Sequence, residues 1–149
     1  TTEYKEEPEH TRLAKIHGPG SSLWHRMGDV GYFDGKGRLW FCGRKSHRVE
    51  LADGGTLFPV PCEAVFNRHP GVSRTALVGV DGLPVLVVEL PCGGTGSAEL
   101  TRELLGLAGS SSLTEGIRDI LFHPSFPVDV RHNAKIHRLQ LRDWARTRL

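Results

Sequence analysis

No stretch of the 149-residue chain approaches the roughly 18 apolar residues of a membrane-crossing helix, and Thr1 to Pro8 is acidic where a secretory signal would be basic. The three cysteines, Cys42, Cys62 and Cys92, include no Cys-x-x-Cys pair, and an odd number cannot close into a disulfide framework. Reduced thiols and a cytoplasmic setting are therefore expected. Charge of one sign is also lacking: 19 Lys and Arg against 17 Asp and Glu leave +2, too small a surplus to require a nucleic-acid partner. Of the eight histidines no two lie three or four positions apart, so no metal site is expected. The Gly-x-Ser-x-Gly elbow, the His-Glu-x-x-His helix and the Gly-x-x-x-x-Gly-Lys-Ser/Thr phosphate loop are all missing. What is there suits a packed core, with 38% hydrophobic and 24% charged residues. The length fits one domain, or a small domain with an appendage, and is short for a typical two-domain enzyme. A first residue of Thr suggests a piece of something longer.

Along the chain, Pro8 to Ile16 reads as a short helix, broken by Gly18-Pro19-Gly20. Tyr32-Phe33 and Arg38 to Cys42 flank a turn at Asp34-Gly35-Lys36-Gly37, which predicts a hairpin. A second hairpin follows, with Arg48 to Leu51 and Thr56 to Phe58 around Asp53-Gly54-Gly55. Pro61 to Arg68 predicts a short helix stopped by His69-Pro70-Gly71. Thr75 to Val80 and Leu83 to Leu90, separated by Asp81-Gly82, predict the core strands. Ser97 caps a leucine-spaced helix to Ala108, a second helix is expected over Leu113 to Ile120, and Leu121 to His123 is a last strand. Pro124 to Asn133 reads as loop, and Ile136 to Leu149 as a helix with Leu141, Trp144 and Ala145 on one side and arginines on the other. The fold class is α+β: a small mixed or antiparallel sheet flanked by helices, with a β-hairpin appendage.

Three segments carry the chemistry: Trp24-His25-Arg26-Met27-Gly28-Asp29-Val30-Gly31, Gly43-Arg44-Lys45, and Arg131-His132-Asn133-Ala134-Lys135-Ile136-His137-Arg138. In order and spacing they resemble three C-terminal motifs of the acyl-adenylate-forming enzymes, the superfamily of acyl-CoA synthetases, peptide-synthetase adenylation domains and luciferases. The family patterns are Tyr-Arg-Thr-Gly-Asp-Leu, Gly-Arg-x-x-x-x-Val-Lys and Asn-Gly-Lys-x-x-Arg. Pro61-Cys62-Glu63 and His69-Pro70-Gly71-Val72 also match family patterns, so the resemblance spans nearly the whole chain.

The resemblance implies roles residue by residue. Asp29 matches the aspartate that accepts both ribose hydroxyls of ATP or AMP, a task for a carboxylate with two acceptor oxygens. Arg44 matches an arginine that also reaches the ribose. Lys135 matches a mobile catalytic lysine that approaches the acyl carboxylate and α-phosphate, offsetting charge that develops during adenylation. Ser46 stands at the hinge position. Residues 1–44 are then the tail end of a large N-terminal adenylation domain, needed in cis, and 45–149 a small mobile C-terminal domain that rotates between half-reactions. ATP with Mg²⁺ would be bound mainly by that large domain, and this segment alone would not catalyse.

Met27, Ala134 and Ser46 depart from the commonest family residues, and the variants look like one bacterial branch, the olefin β-lactone synthetases. Those enzymes adenylate a long-chain 2-alkyl-3-hydroxy acid, whose own hydroxyl closes a β-lactone and releases AMP. Other olefin-biosynthesis enzymes are the partners this implies. Val49-Glu50-Leu51-Ala52, in place of the Val-Lys-x-x-Gly of CoA ligases, favours the lactone over the thioester. Two alternatives stay open. One is a long-chain fatty acyl-CoA synthetase that uses CoA. The other is a non-catalytic module holding an acidic partner or nucleic acid through Arg138, Arg142, Arg146 and Arg148.

Overall fold

The computed structural model describes residues 4–131 and 135–149. Helix α1 (Pro8–Ala14) starts on a proline, whose missing N–H is tolerated in a first turn, and leads into a small hairpin of β1 (Lys15–His17) and β2 (Leu23–His25). Ile16 thus joins a strand, where a helix end was expected. A second hairpin pairs β3 (Asp29–Phe33) with β4 (Leu39–Arg44). Asp34 closes its turn, accepting from the Lys36 and Arg38 N–H groups, from Arg38 Nε at 2.7 Å and from Trp40 Nε1 at 3.0 Å. The Trp40 bond, then those from Arg38 and Lys36, hold its carboxyl down at about 2.

A 3₁₀ turn (Lys45–His47) links this hairpin to the short pair β5 (Val49–Glu50) and β6 (Thr56–Leu57). Helix α2 (Pro59–Phe66) begins at Pro59, two residues earlier than expected, because Pro59 and Pro61 both suit a first turn. The central sheet has the order β7-β8-β9, with β7 (Arg74–Val80) antiparallel to β8 (Leu83–Glu89), and β8 parallel to β9 (Asp119–Phe122). Asp81 and Gly82 join β7 to β8 with φ of +49° and +83°, the left-handed pair that a two-residue hairpin needs.

Strand alternation sends side chains to both faces of this sheet, and both are covered. Leu77, Leu86 and Val88 pack with Phe66 of α2 and with Leu104 and Ala108 of α3 (Ala98–Gly109). Ala76, Val78, Val85 and Val87 pack on the other side with Phe126 and with Leu141 and Ala145 of α4 (Arg138–Arg146). Ser97 caps α3 by accepting from the Leu100 N–H at 3.1 Å.

The helix expected over 113–120 is instead a series of turns leading into β9. Thr114 is fully buried and donates its hydroxyl to the Ala108 carbonyl at 2.9 Å, while Ile117 drops into the core below Gly116. These contacts compete with continuous helical bonding in a segment that already follows three serines. Among the described residues, no helix is long and apolar enough to cross a membrane.

Candidate functional site

Asp29 opens β3 and Arg44 closes β4, and the antiparallel register sets them opposite one another. Arg44 Nε and Asp29 Oδ1 form an ion pair at 3.1 Å, with both side chains about half exposed. Arg44 Nη1 also donates to the Met27 carbonyl, and the Lys45 N–H donates to the Gly28 carbonyl at 2.8 Å. Gly28 takes φ +79°, which lets the chain turn sharply before Asp29. A concavity of about 400 Å³ lies here, lined by Met27, Gly28, Arg44, Lys45, Ser46 and Arg48. Asp29 therefore has one oxygen engaged by Arg44 and acceptor capacity left toward solvent.

Ser46 lies in the 3₁₀ turn between the hairpin and the sheet domain. Its neighbour His47 is half-buried, and burial first, then the charges of Arg138, Arg44 and Lys135, depress its pKa. One imidazole thus feels Arg44 from the hairpin and both Lys135 and Arg138 from the far end of the chain. The fold brings the two ends of the motif set into electrostatic range of each other.

Lys135 is exposed, and its carbonyl accepts from the Asp129 N–H at 3.0 Å. Next to it, Ile136 bridges Val128 in antiparallel fashion. His132, Asn133 and Ala134 of the same motif lie outside the described residues. Among the described residues, no three His, Cys, Asp or Glu side chains converge on a metal position.

Two residues matter more than their sequence reading indicated. Glu63 and Arg138 belong to quoted motifs, but 75 positions separate them, and nothing local announces that they meet. Arg138 Nη1 and Nη2 donate to Glu63 Oε1 and Oε2 at 2.5 and 2.9 Å. The arginine face of α4 is accordingly no free basic stripe. Arg138 pairs with Glu63, Arg142 with Asp143 and Arg146 with Asp81, while Arg148 stacks over Trp144 at 4.2 Å.

No family model matches the chain. The fold is that of the C-terminal segment of adenylate-forming enzymes: an anthranilate CoA ligase in complex with anthranoyl-AMP superposes with a TM-score of 0.80, at 23% identity, over 99% of this chain and 28% of the ligase. In fold the chain is thus similar to a portion of such a ligase.

Within that class its sequence runs with the olefin β-lactone synthetases. It is 49% identical to that of Stenotrophomonas maltophilia, over 100% of this chain and 28% of the relative. To that of Xanthomonas campestris pv. campestris it is 52% identical, over 91% and 26%. The chain therefore spans about a quarter of the length of the curated relatives it matches, both of them bacterial.

Proposed function

We propose that the chain is the lid segment of a bacterial, cytoplasmic β-lactone-forming ligase, with residues 1–44 completing a large N-terminal domain and 45–149 forming a small domain hinged at Ser46. The observation that carries this reading is the identity of about half to two olefin β-lactone synthetases along nearly the whole chain. The Asp29–Arg44 pair beside the hinge turn supports it chemically.

In this reading the substrate carboxylate attacks the α-phosphorus of ATP, diphosphate leaves, and an acyl-AMP forms. Asp29 accepts hydrogen bonds from the ribose hydroxyls, and Arg44 both orients Asp29 and contributes positive charge. Lys135 stabilises charge on the carboxylate and α-phosphate as the bond forms. The small domain then turns about Ser46, withdrawing Lys135. The substrate's 3-hydroxyl oxygen attacks the acyl carbon, the acyl–phosphate bond breaks, the hydroxyl proton is lost, and AMP and a β-lactone result. Mg²⁺, which offsets triphosphate charge when bound, is assigned no ligand in this segment. The substrate is a long-chain 2-alkyl-3-hydroxy acid, and neighbouring olefin-biosynthesis enzymes supply it and consume the lactone.

The test compares the full-length ligase with its Lys135→Ala variant, given ATP, Mg²⁺ and a long-chain 3-hydroxy acid, by AMP release and product identity. Lactone and AMP are expected, with adenylation falling about a hundredfold or more in the variant. Thioester formed only with added CoA would replace this reading by the acyl-CoA synthetase.

A further inference from the structure

Glu63, Leu77 and Arg138 form a closed knot. Strand β7 is an edge of the central sheet, and Leu77 turns its backbone polar groups away from β8. Glu63 Oε1 accepts from the Leu77 N–H at 2.7 Å as well as from Arg138, and Arg138 Nη1 reaches the Leu77 carbonyl at 3.2 Å. The Arg138 and Glu63 side chains are only 14% and 10% exposed. A dry, two-pronged pair of this kind adds little net stability, because desolvation offsets the attraction. What it fixes is geometry, since the guanidinium cannot turn without leaving a buried carboxylate unpaired.

Arg138 stands three residues after Lys135. The chain between them is held at its backbone. The His137 N–H donates to the Pro127 carbonyl at 2.8 Å, the Asp129 N–H donates to the Lys135 carbonyl, and Ile136 bridges Val128. The Lys135 ammonium, by contrast, meets no hydrogen-bonding partner among the described residues. Its location thus depends on a short backbone lever whose far end is clamped by Glu63.

We propose that Glu63 and Arg138 are positioning residues for adenylation: their fork sets the register of the Lys135 segment against the sheet edge, so that Lys135 arrives aligned when the lid closes. The proposal rests on the role given to Lys135 above. Misplacing a catalytic charge by about 1 Å can cost on the order of a hundredfold in rate. Glu63 therefore acts on the half-reaction that uses Lys135 and leaves the other untouched.

The experiment uses the full-length ligase with Glu63→Gln, Arg138→Lys and Lys135→Ala, and each of the first two combined with the third. Adenylation is followed by ATP–diphosphate exchange, and the second half-reaction by AMP release from added acyl-adenylate. Glu63→Gln keeps an acceptor for Leu77, and Arg138→Lys keeps the charge, so if one fails to fold the other serves. The expected result is a tenfold or greater loss of adenylation kcat, KM for ATP within twofold, and AMP release from acyl-adenylate within twofold. In the Lys135→Ala background neither substitution should lower adenylation further. Equal losses in both half-reactions, additive losses with Lys135→Ala, or no loss would overturn the positioning role. Full adenylation by Lys135→Ala itself would instead overturn the reading of Lys135, and this proposal with it.

Discussion

Hairpins β3–β4 and β7–β8 are built from the same kind of apolar, β-prone sequence and end in opposite environments. In β7–β8, Leu77 and Leu86 on one face and Val85 and Val87 on the other are fully buried, because helices cover both sides. In β3–β4, Tyr32 pairs with Trp40, and Phe33 with Leu39, yet these four side chains are 57%, 47%, 72% and 65% exposed. Alternation decides which side chains share a face; it does not decide whether anything lies over that face. Exposed apolar side chains on both faces of a hairpin mark a contact region. The proposed assignment of residues 1–44 to a larger domain would give it an occupant, the rest of that ligase.

The largest test of this contrast is one substitution made in both environments. Phe66 of α2 is fully buried against Leu77 and Leu86, and Phe66→Ala should cost about 3–5 kcal/mol in chemical denaturation of this chain. Phe33→Ala should fall within about 0.5 kcal/mol in the same measurement, as an exposed change does. Comparable costs would mean that the hairpin face is covered in solution.

The contrast sharpens in the full-length ligase. There Phe33→Ala should become destabilising by about 1.5–3 kcal/mol, the worth of burying a phenylalanine side chain, while the cost of Phe66→Ala stays as it was. An unchanged, near-zero cost for Phe33→Ala would remove the large domain as the cover.

Much of the central sheet was legible in the sequence because its signals are local. Runs such as Thr75 to Val80 and Leu83 to Leu90 around Asp81-Gly82 have one reading, and Ser97 before leucine-spaced positions has another. The segment 113–120 misled because its fate is decided by tertiary contacts, the Thr114 bond to Ala108 and the descent of Ile117 into the core. At the site, the resemblance to family motifs marked out Asp29, Arg44 and Lys135, and the hairpin register sets Asp29 opposite Arg44, with a bulge between Val30 and Gly31. The Glu63–Arg138 fork was not legible, since a pairing across 75 positions leaves no periodic trace, and Arg138 looked like one more solvated arginine.

A smaller effect belongs to the cap of α3, which covers the β7–β8 sheet. Ser97→Ala removes the acceptor for the Leu100 N–H and should cost about 1 kcal/mol in the denaturation of this chain. The exposed hairpin should be untouched, so the transition that Trp40 fluorescence reports should not shift in that variant. A Trp40 transition that shifts by as much as that of the sheet would show that the two regions unfold as one unit.

The smallest expected effect is a pH dependence seated in the sheet domain and the 3₁₀ turn that leads into it, with none from Asp34 of the hairpin near neutrality. His47 is pushed below its usual value by burial and by Arg138, Arg44 and Lys135, and His123 by burial and Arg148, against opposing effects of the Ser125 N–H and Glu89. For each, the unfolded state binds more protons than the folded one, so stability rises with pH. It is retained above the unfolded value near 6.5 and given up as pH falls through that value toward the depressed folded one. The melting temperature of this chain should accordingly climb from pH 5 to pH 7, and His47→Gln should flatten part of that climb. Asp34, held at about 2, titrates far below this window, so Asp34→Asn should leave the slope between pH 5 and 7 as it is. A slope that survives His47→Gln and His123→Gln together would remove these two histidines as its source, and one that vanishes with Asp34→Asn would move the titrating group into the hairpin.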